Sequence, residues 1–496
     1  MCTKRHISKD ILRDILCAFE VHAQRKAFVI EDIEYNYKLL FERVAAIYSC
    51  LSQRTETNVG VLGENDIDTY ASILAILFSG RTYVILHPSY PDDRNREIAS
   101  LSNISLLLGT GKKRPPVDSL EFVATEDLRP DATITIHYKP NEDKNAYIIF
   151  TSGSTGQPKG VPISVKNLNR FYDAYSRLGW ELTAEDRMLQ MFELTFDVSV
   201  VSFLYPLTLG ASIFTVGYDD VKYLKVFDIL ETHELTFAAV APSLLQLFSP
   251  YFEEVSLPKL KYLIVTAEAA NSGLLSSFRR CAPNASFVNL YGPTEATIYS
   301  TAYQIPPTDC KEHNGMVAIG KPFHGIEALI VDENGETISQ NATGELWITG
   351  DQVMNGYWKD AEKTSQSIVE EKNGKRYYKT GDLCRIDKNG DIIYCGRKDH
   401  QVKIQGYRIE LSEIELCARK SFDVPCNVVV VPKYTDNNLC ELHLIVESPN
   451  VDKHALTQHM TSKLPPYMLP KQIHCMPQFP LNNSNKIDRK KIAQSI

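Results

Sequence analysis

The sequence predicts an α/β protein in two unequal parts. A large N-terminal domain, residues 1–398, is built of α/β subdomains plus a β-rich subdomain, and a small mobile α+β domain follows over residues 399–496. Three observations carry this. Short apolar runs alternate with turns and helix-like stretches through most of the first 290 residues, the rhythm of a sheet wound with helices. A more β-rich section follows, around Gly344–Gly350. Then Gly396–Glu410 brackets short β-like runs with glycines and polar residues, which suits a hinge leading into a hairpin.

Length and composition agree with more than one core. At 496 residues the chain exceeds what a single hydrophobic core supports. The formal net charge of −8, with no concentrated basic stretch, argues against nucleic acid or an anionic membrane as a partner. The 11 cysteines are scattered with no Cys-x-x-Cys pair, as in a reduced, cytoplasmic protein. Met1–Glu20 is charged throughout, with apolar residues at helical spacing, and reads as neither signal peptide nor membrane span. Sequons such as Asn341-Ala-Thr343 are therefore expected to carry no sugar.

In chain order, Asn58–Gly63 and Thr82–Leu86 read as strands flanking a helix over Thr69–Phe78. Pro88 and Pro91 then stop and turn the chain. Lys112-Lys113-Arg114-Pro115-Pro116 reads as a surface loop. The run Ala146–Phe150 reads as a buried strand that breaks into Thr151, Ser152, Gly153, Ser154, Thr155 and Gly156, closed by Pro158 and Lys159. Glycines let backbone N–H groups approach an anion, hydroxyls add donors, and the lysine adds charge, so this loop reads as a phosphate cradle. The competing reading is a plain polar strand-to-helix loop. No glycine stands where a Walker A motif needs one before Lys-Ser/Thr.

Lys166–Leu178 reads as a helix, and Leu194-Thr-Phe-Asp-Val-Ser-Val200 follows. Asp197 is out of place in so apolar a run, because an unpaired buried carboxylate is costly. It reads as a helix N-cap, as an anchor for a ligand cation, or as both. Leu235–Val240, Lys261–Val265 and Ser286–Leu290 read as strands, the last running into Asn289-Leu-Tyr-Gly-Pro-Thr-Glu295. In the C-terminal part Val428–Val431 and Leu442–Val446 read as strands, and Lys453–Leu464 as a helix.

The loop Tyr147–Gly160 closely resembles the phosphate loop of the adenylate-forming superfamily, which includes acyl-CoA synthetases, luciferase-type enzymes and the adenylation enzymes of peptide synthetases. The resemblance extends in order through His87–Arg94, Leu194–Val200, Asn289–Glu295, Gly344–Gly350, Asn355–Trp358, Tyr378–Leu383, Gly396–Glu410 and Asn482–Arg489, and so covers essentially the whole chain. It implies activation of a carboxylic acid with ATP and Mg²⁺, then transfer to a thiol.

Residue by residue, the resemblance implies that Thr151, Ser152, Gly153, Ser154, Thr155, Gly156 and Lys159 hold phosphates. Tyr291 and Gly292, with Asn289, Ala267 and Glu268, border the adenine. Thr294 meets the α-phosphate, Glu295 holds the metal, Asp382 accepts the ribose hydroxyls and Arg397 reaches ribose and phosphates. Asp399 is the hinge. Lys403 and Gly406 turn inward for the second half-reaction, and Lys486 is the mobile catalytic lysine of the first. In amino-acid-activating members the aspartate of Phe-Asp-x-Ser-Val binds the α-ammonium, which assigns that role to Asp197.

Motif alignment gives a substrate pocket of Asp197, Val198, Val201, Ala239, Ile264, Thr266, Leu290, Ile298, Tyr299 and Lys486. It is apolar between its charged anchors, apart from Thr266 and the Tyr299 hydroxyl, and implies a small amino acid, with alanine or D-alanine first. The partner implied is a phosphopantetheinylated carrier protein acting in trans. An acyl- or aryl-CoA synthetase and a non-catalytic nucleotide or amino-acid sensor are the alternatives. The chain departs from the family at Val165, where a histidine is frequent, at Asn485, where glycine is usual, and at Ala267, which replaces a common glycine.

Overall fold

The computed structural model describes residues 8–113, 115–131, 135–153, 155–218, 220–370, 374–399, 401–422, 424, 426–435, 439–482 and 487–496. Two wound sheets form its body. A six-stranded sheet runs in the order Glu121–Ala124, Leu106–Gly109, Asn58–Leu62, Thr82–Leu86, Asn145–Thr151, Lys159–Ser164. It is parallel apart from the last pair. A nine-stranded sheet has Phe237–Val240, Tyr262–Thr266 and Ser286–Tyr291 side by side and parallel near its middle. Strands and the helix Ile67–Phe78 stand where apolar runs predict them, because a strand covered on both faces must be apolar throughout.

Sequence order does not predict sheet membership. Lys26–Ile30 and Ile33–Asn36 leave their neighbours and complete the nine-stranded sheet, with Phe28 in register with Ile213. The helix Ile11–Val21 packs against Val198–Leu209, tying the N-terminal stretch to the segment that carries Asp197.

The loop after Thr151 runs into an antiparallel strand, with Phe150 opposite Gly160 and Thr151 opposite Lys159. This corrects the strand-to-helix alternative. The helix begins only at Val165, where Ser164 and Asn167 make a reciprocal capping box.

A five-stranded sheet follows, built from Ile326–Val331, Gly344–Gly350, Ile368–Glu370, Arg376–Ile386 and Ile392–Arg397. After Asp399 come the hairpin Gln401–Ile404 with Tyr407–Glu410, the helix Leu411–Arg419 and the sheet Val428–Tyr434, Cys440–Glu447, Gln472–Met476. These elements bury an apolar cluster of their own, which includes Ile409, Ile414, Val428, Leu444 and Val446. Among the described residues no helix is long and apolar enough to cross a membrane.

Candidate active site

The C-terminal ends of the central strands of the nine-stranded sheet open on a narrow cleft. Asp197, Val198, Thr266, Ile298 and Tyr299 line it together with Tyr291, Thr294, Asp382 and Arg397. Lys403, Gly406 and Arg408 enter it from the C-terminal hairpin. A smaller adjoining cavity is bordered by Ala267, Glu268, Asn289, Leu290, Tyr291 and Gly292. Val201, Ala239, Ile264 and Leu290, predicted to line the substrate pocket, are packed in the core and are absent from the lining of the main cleft. Ile264 shares a strand face with Thr266, which ends the strand at the cleft, but lies two residues deeper, and Val201 lies one helical turn beyond Val198.

Asp197 stands at the head of the helix Val198–Leu209 but makes no side-chain cap bond, so position alone fits the N-cap reading. It is buried, and burial pushes its pKa up to about 6, with the Thr294 hydroxyl easing it back.

Asp382 is held from two sides. The Tyr291 hydroxyl donates to its Oδ2 at 2.5 Å and Arg397 Nη1 to its Oδ1 at 2.6 Å. Arg397 also grips Asp399 through Nε and Nη2, each at 2.7 Å, so the residue expected to be the hinge is latched to the body. The Asn289 amide donates to the Ala318 carbonyl at 3.0 Å. Ala267 has φ of 67°, which accounts for glycine being common at this position.

Glu295 is fully buried. Arg408 Nη1 donates to its Oε2 at 2.7 Å, and the Tyr357 hydroxyl donates to its Oε1 at 2.7 Å. Lys159 Nζ stands 3.3 Å from Oε1. Burial alone would raise the pKa of Glu295, but Arg408 and then Lys159 hold it well below the usual carboxylate range. Burial and the neighbouring Arg408 bring Lys159 down to about 8. Both oxygens being engaged, Glu295 does not fit a Mg²⁺ ion in this arrangement, contrary to expectation. Among the described residues no cluster of three His, Cys, Asp or Glu side chains suits a metal.

The phosphate loop is met by the C-terminal part as well. Ser152 Oγ donates to the Arg408 carbonyl at 2.9 Å and accepts from the Glu410 N–H at 3.2 Å. The Gly153 N–H donates to Glu413 Oε2 at 3.0 Å. A Cβ on Gly153 would lie 2.0 Å from the Gln157 carbonyl oxygen, so only glycine fits. Thr151 is buried, Thr155 exposed, and Gly156 adopts φ of 79° beside Leu416. Ser154, Asn485 and Lys486 lie outside the described residues.

Lys403 Nζ sits 5.6 Å from the centre of the Tyr291 ring, its pKa lowered by burial and pulled back by Asp382. The Gly406 N–H donates to Glu268 at 2.8 Å, and the Tyr407 hydroxyl to Glu193 at 2.5 Å. The hairpin is thus seated in the cleft.

Sequence reasoning missed Arg94, Gln352, Arg408 and Glu413. Gln352 is buried beneath the turn after Glu295, donates to the Ala296 and Tyr299 carbonyls at 2.9 and 2.6 Å, and accepts the Thr297 hydroxyl on its own carbonyl. It clamps a turn in which Thr297 and Ile298 have φ of 57° and 68°, unfavourable for β-branched residues. No local pattern singles out such a glutamine. Arg408 and Glu413 stand in the quoted hairpin and beside it, where charge on a surface hairpin is unremarkable.

A wound α/β body, a glycine and hydroxyl loop beside a buried carboxylate, and a small domain reaching into the cleft define an enzyme of the adenylate-forming class. The chain belongs to the AMP-binding enzyme family, whose model matches residues 18–358. It is 31% identical to gramicidin S synthase 1 of Brevibacillus brevis over 94% of this chain, and spans 43% of that relative's length. It is also 33% identical to zwittermicin A synthase ZmaJ of Bacillus cereus, over 88% of this chain and 85% of the relative. In fold it matches the Vibrio cholerae adenylation domain AlmE, solved with glycyl-adenosine-5′-phosphate, with a TM-score of 0.86, 24% identity and coverage of 100% of this chain and 99% of that one.

Proposed function

We propose that the chain activates a small amino acid with ATP and then passes it to the phosphopantetheine thiol of a carrier protein. In the first step a carboxylate oxygen attacks the α-phosphorus of ATP, the bond to the β-phosphate breaks, and pyrophosphate leaves. In the second the thiol sulfur attacks the acyl carbon of the adenylate, the bond to the AMP oxygen breaks, and a thioester forms.

The observation that carries this reading is Asp197, a buried carboxylate that lines the cleft without a cap bond. Lys403 in the same cleft eases Asp197 only as a minor influence; an α-ammonium provides a counter-charge in direct contact, and a neutral acyl or aryl acid does not. Val198, Ile298 and the Tyr299 ring make the cleft wall beside Asp197 apolar, which favours alanine, D-alanine included, among small aliphatics.

In this reading Tyr291 offers a face to adenine, Asp382 with Arg397 holds the ribose, and Thr294 meets the α-phosphate. The chain divides near Asp399, and the seated hairpin marks the orientation for thiol transfer. Lys486 belongs to the other orientation, in which it bridges the substrate carboxylate and the ATP phosphates. The test is substrate-dependent pyrophosphate exchange across the D- and L-amino acids, with acetate, fatty acids and benzoates as controls. Exchange strongest with small aliphatic amino acids is expected. Exchange with the non-amino acids overturns the reading.

A further inference from the structure

The last stretch of the chain is pinned to the small domain by a buried ion pair. Arg489 forks onto Glu415, with Nη1 2.6 Å from Oε1 and Nη2 donating to Oε2 at 2.8 Å. Glu415 is 2% exposed and lies in the helix Leu411–Arg419. Both partners also hold one residue of Val428–Tyr434, an outer strand of its sheet. The Val430 N–H donates to Glu415 Oε1 at 2.9 Å, and Arg489 Nη1 donates to the Val430 carbonyl at 3.2 Å. Carboxylate and guanidinium thus offer this edge the acceptor and the donor that a neighbouring strand would offer.

Arg489 stands three residues after Lys486. Leu481 and Ile487, on either side of the stretch that carries Lys486, form an antiparallel bridge, and the Asp488 N–H donates to the Pro480 carbonyl at 2.8 Å. Phe479 and Ile492 are buried against Val429, Val431 and Ile445 of the same sheet. Apolar burial is non-directional and sets no register along a sheet, whereas a guanidinium fork fixes both distance and angle.

We propose that Glu415 is a positioning residue for the adenylation step: through Arg489 it sets the register of the C-terminal segment on its sheet, and so the point from which Lys486 reaches the reacting groups. This rests on the reading in which Lys486 serves the first half-reaction. Both partners of the pair lie beyond Asp399, so the pair travels with Lys486 when the small domain turns. Thiol transfer, which takes place with Lys486 withdrawn, does not depend on it. Replacing a buried ion pair by apolar side chains of similar volume is often neutral or stabilising, so register rather than stability is what this pair supplies.

Glu415→Gln keeps the shape of the site and removes its charge. Alanine-dependent pyrophosphate exchange and single-turnover transfer from supplied alanyl-adenylate to pantetheine are measured on one preparation, with Lys486→Ala as the floor for exchange. The kcat of exchange is expected to fall between about tenfold and about a hundredfold, the range that a misplacement of about 1 Å produces, while KM for ATP and the transfer rate change by less than about twofold. Arg489→Lys, which keeps the charge but not the fork, is expected to show the same split and serves if Glu415→Gln does not fold. A merely structural role lowers exchange and transfer by the same factor, and that result overturns the proposal. So does wild-type exchange in both variants. If Lys486→Ala itself leaves exchange intact, the assignment of Lys486 falls and this proposal with it, whereas loss of exchange in Lys486→Ala but in neither of the other variants overturns the proposal and leaves the assignment standing.

Discussion

Arg408 Nη1 lies 2.7 Å from Glu295 Oε2, an ion pair that joins the C-terminal hairpin to the buried turn after Tyr291 across 113 residues of sequence. Removing one partner of such a pair strands the other charge. Arg408→Ala is therefore expected to lose more in thiol transfer from a supplied aminoacyl-adenylate, at least about tenfold, than in pyrophosphate exchange. Single-turnover transfer and exchange on the same preparation check it.

Asp197 offers a pH signature. Its pKa stands near 6 in the folded protein against an ordinary value of 3.8. A raised carboxylate favours the folded state when protonated. That contribution is present below the unfolded value and is lost as pH rises through about 6. The ammonium needs the ionised form, so kcat/KM for the amino acid should fall towards tenfold per pH unit below about 6 and level off above it. Asp197→Asn should raise KM for the amino acid far more than for ATP and flatten this limb. A flat wild-type profile between pH 5 and 7 would remove Asp197 from substrate binding.

Lys486→Ala should abolish adenylate formation yet let a chemically supplied aminoacyl-adenylate load the carrier. Equal loss in both reactions would contradict the two-orientation scheme.

Ala267→Gly should be neutral or stabilising by up to about 1 kcal/mol. The left-handed backbone costs a Cβ-bearing residue roughly 1–2 kcal/mol, and glycine's added freedom in the unfolded chain cancels part of the gain. Equilibrium denaturation in urea measures it.

Gln352→Ala should destabilise by about 2–4 kcal/mol, because the Ala296 and Tyr299 carbonyls lose buried donors. Relaxation of the Thr297–Ile298 turn would also raise KM for the amino acid. The denaturation midpoint and exchange kinetics report the two effects separately.

Much of the body was legible because its signals are local. Apolar runs of four to seven residues ended by turn residues marked the strands Asn58–Leu62, Thr82–Leu86, Asn145–Thr151 and Ser286–Tyr291. Glycine was required at Gly153 for a reason that short-range sequence carries, a clash with Gln157 four residues on. Asp197 stood out because a carboxylate among valines has few explanations. The cost of burying charge is the same whatever the fold.

Tertiary structure alone decided the rest. That Lys26–Ile30 pairs with Ser212–Thr215 depends on a contact almost two hundred residues away, which no pattern within either strand encodes. Which predicted pocket residues reach the cleft was settled by how far each stands from the end of its element: Val198 and Thr266, at the ends, do, while Val201 and Ile264 pack behind. Arg408 and Glu413 look in sequence like ordinary surface charges. Their meaning arises only when the hairpin closes on the cleft, because the strength of a charge pair depends on burial and separation. Sequence shows neither before the chain has folded.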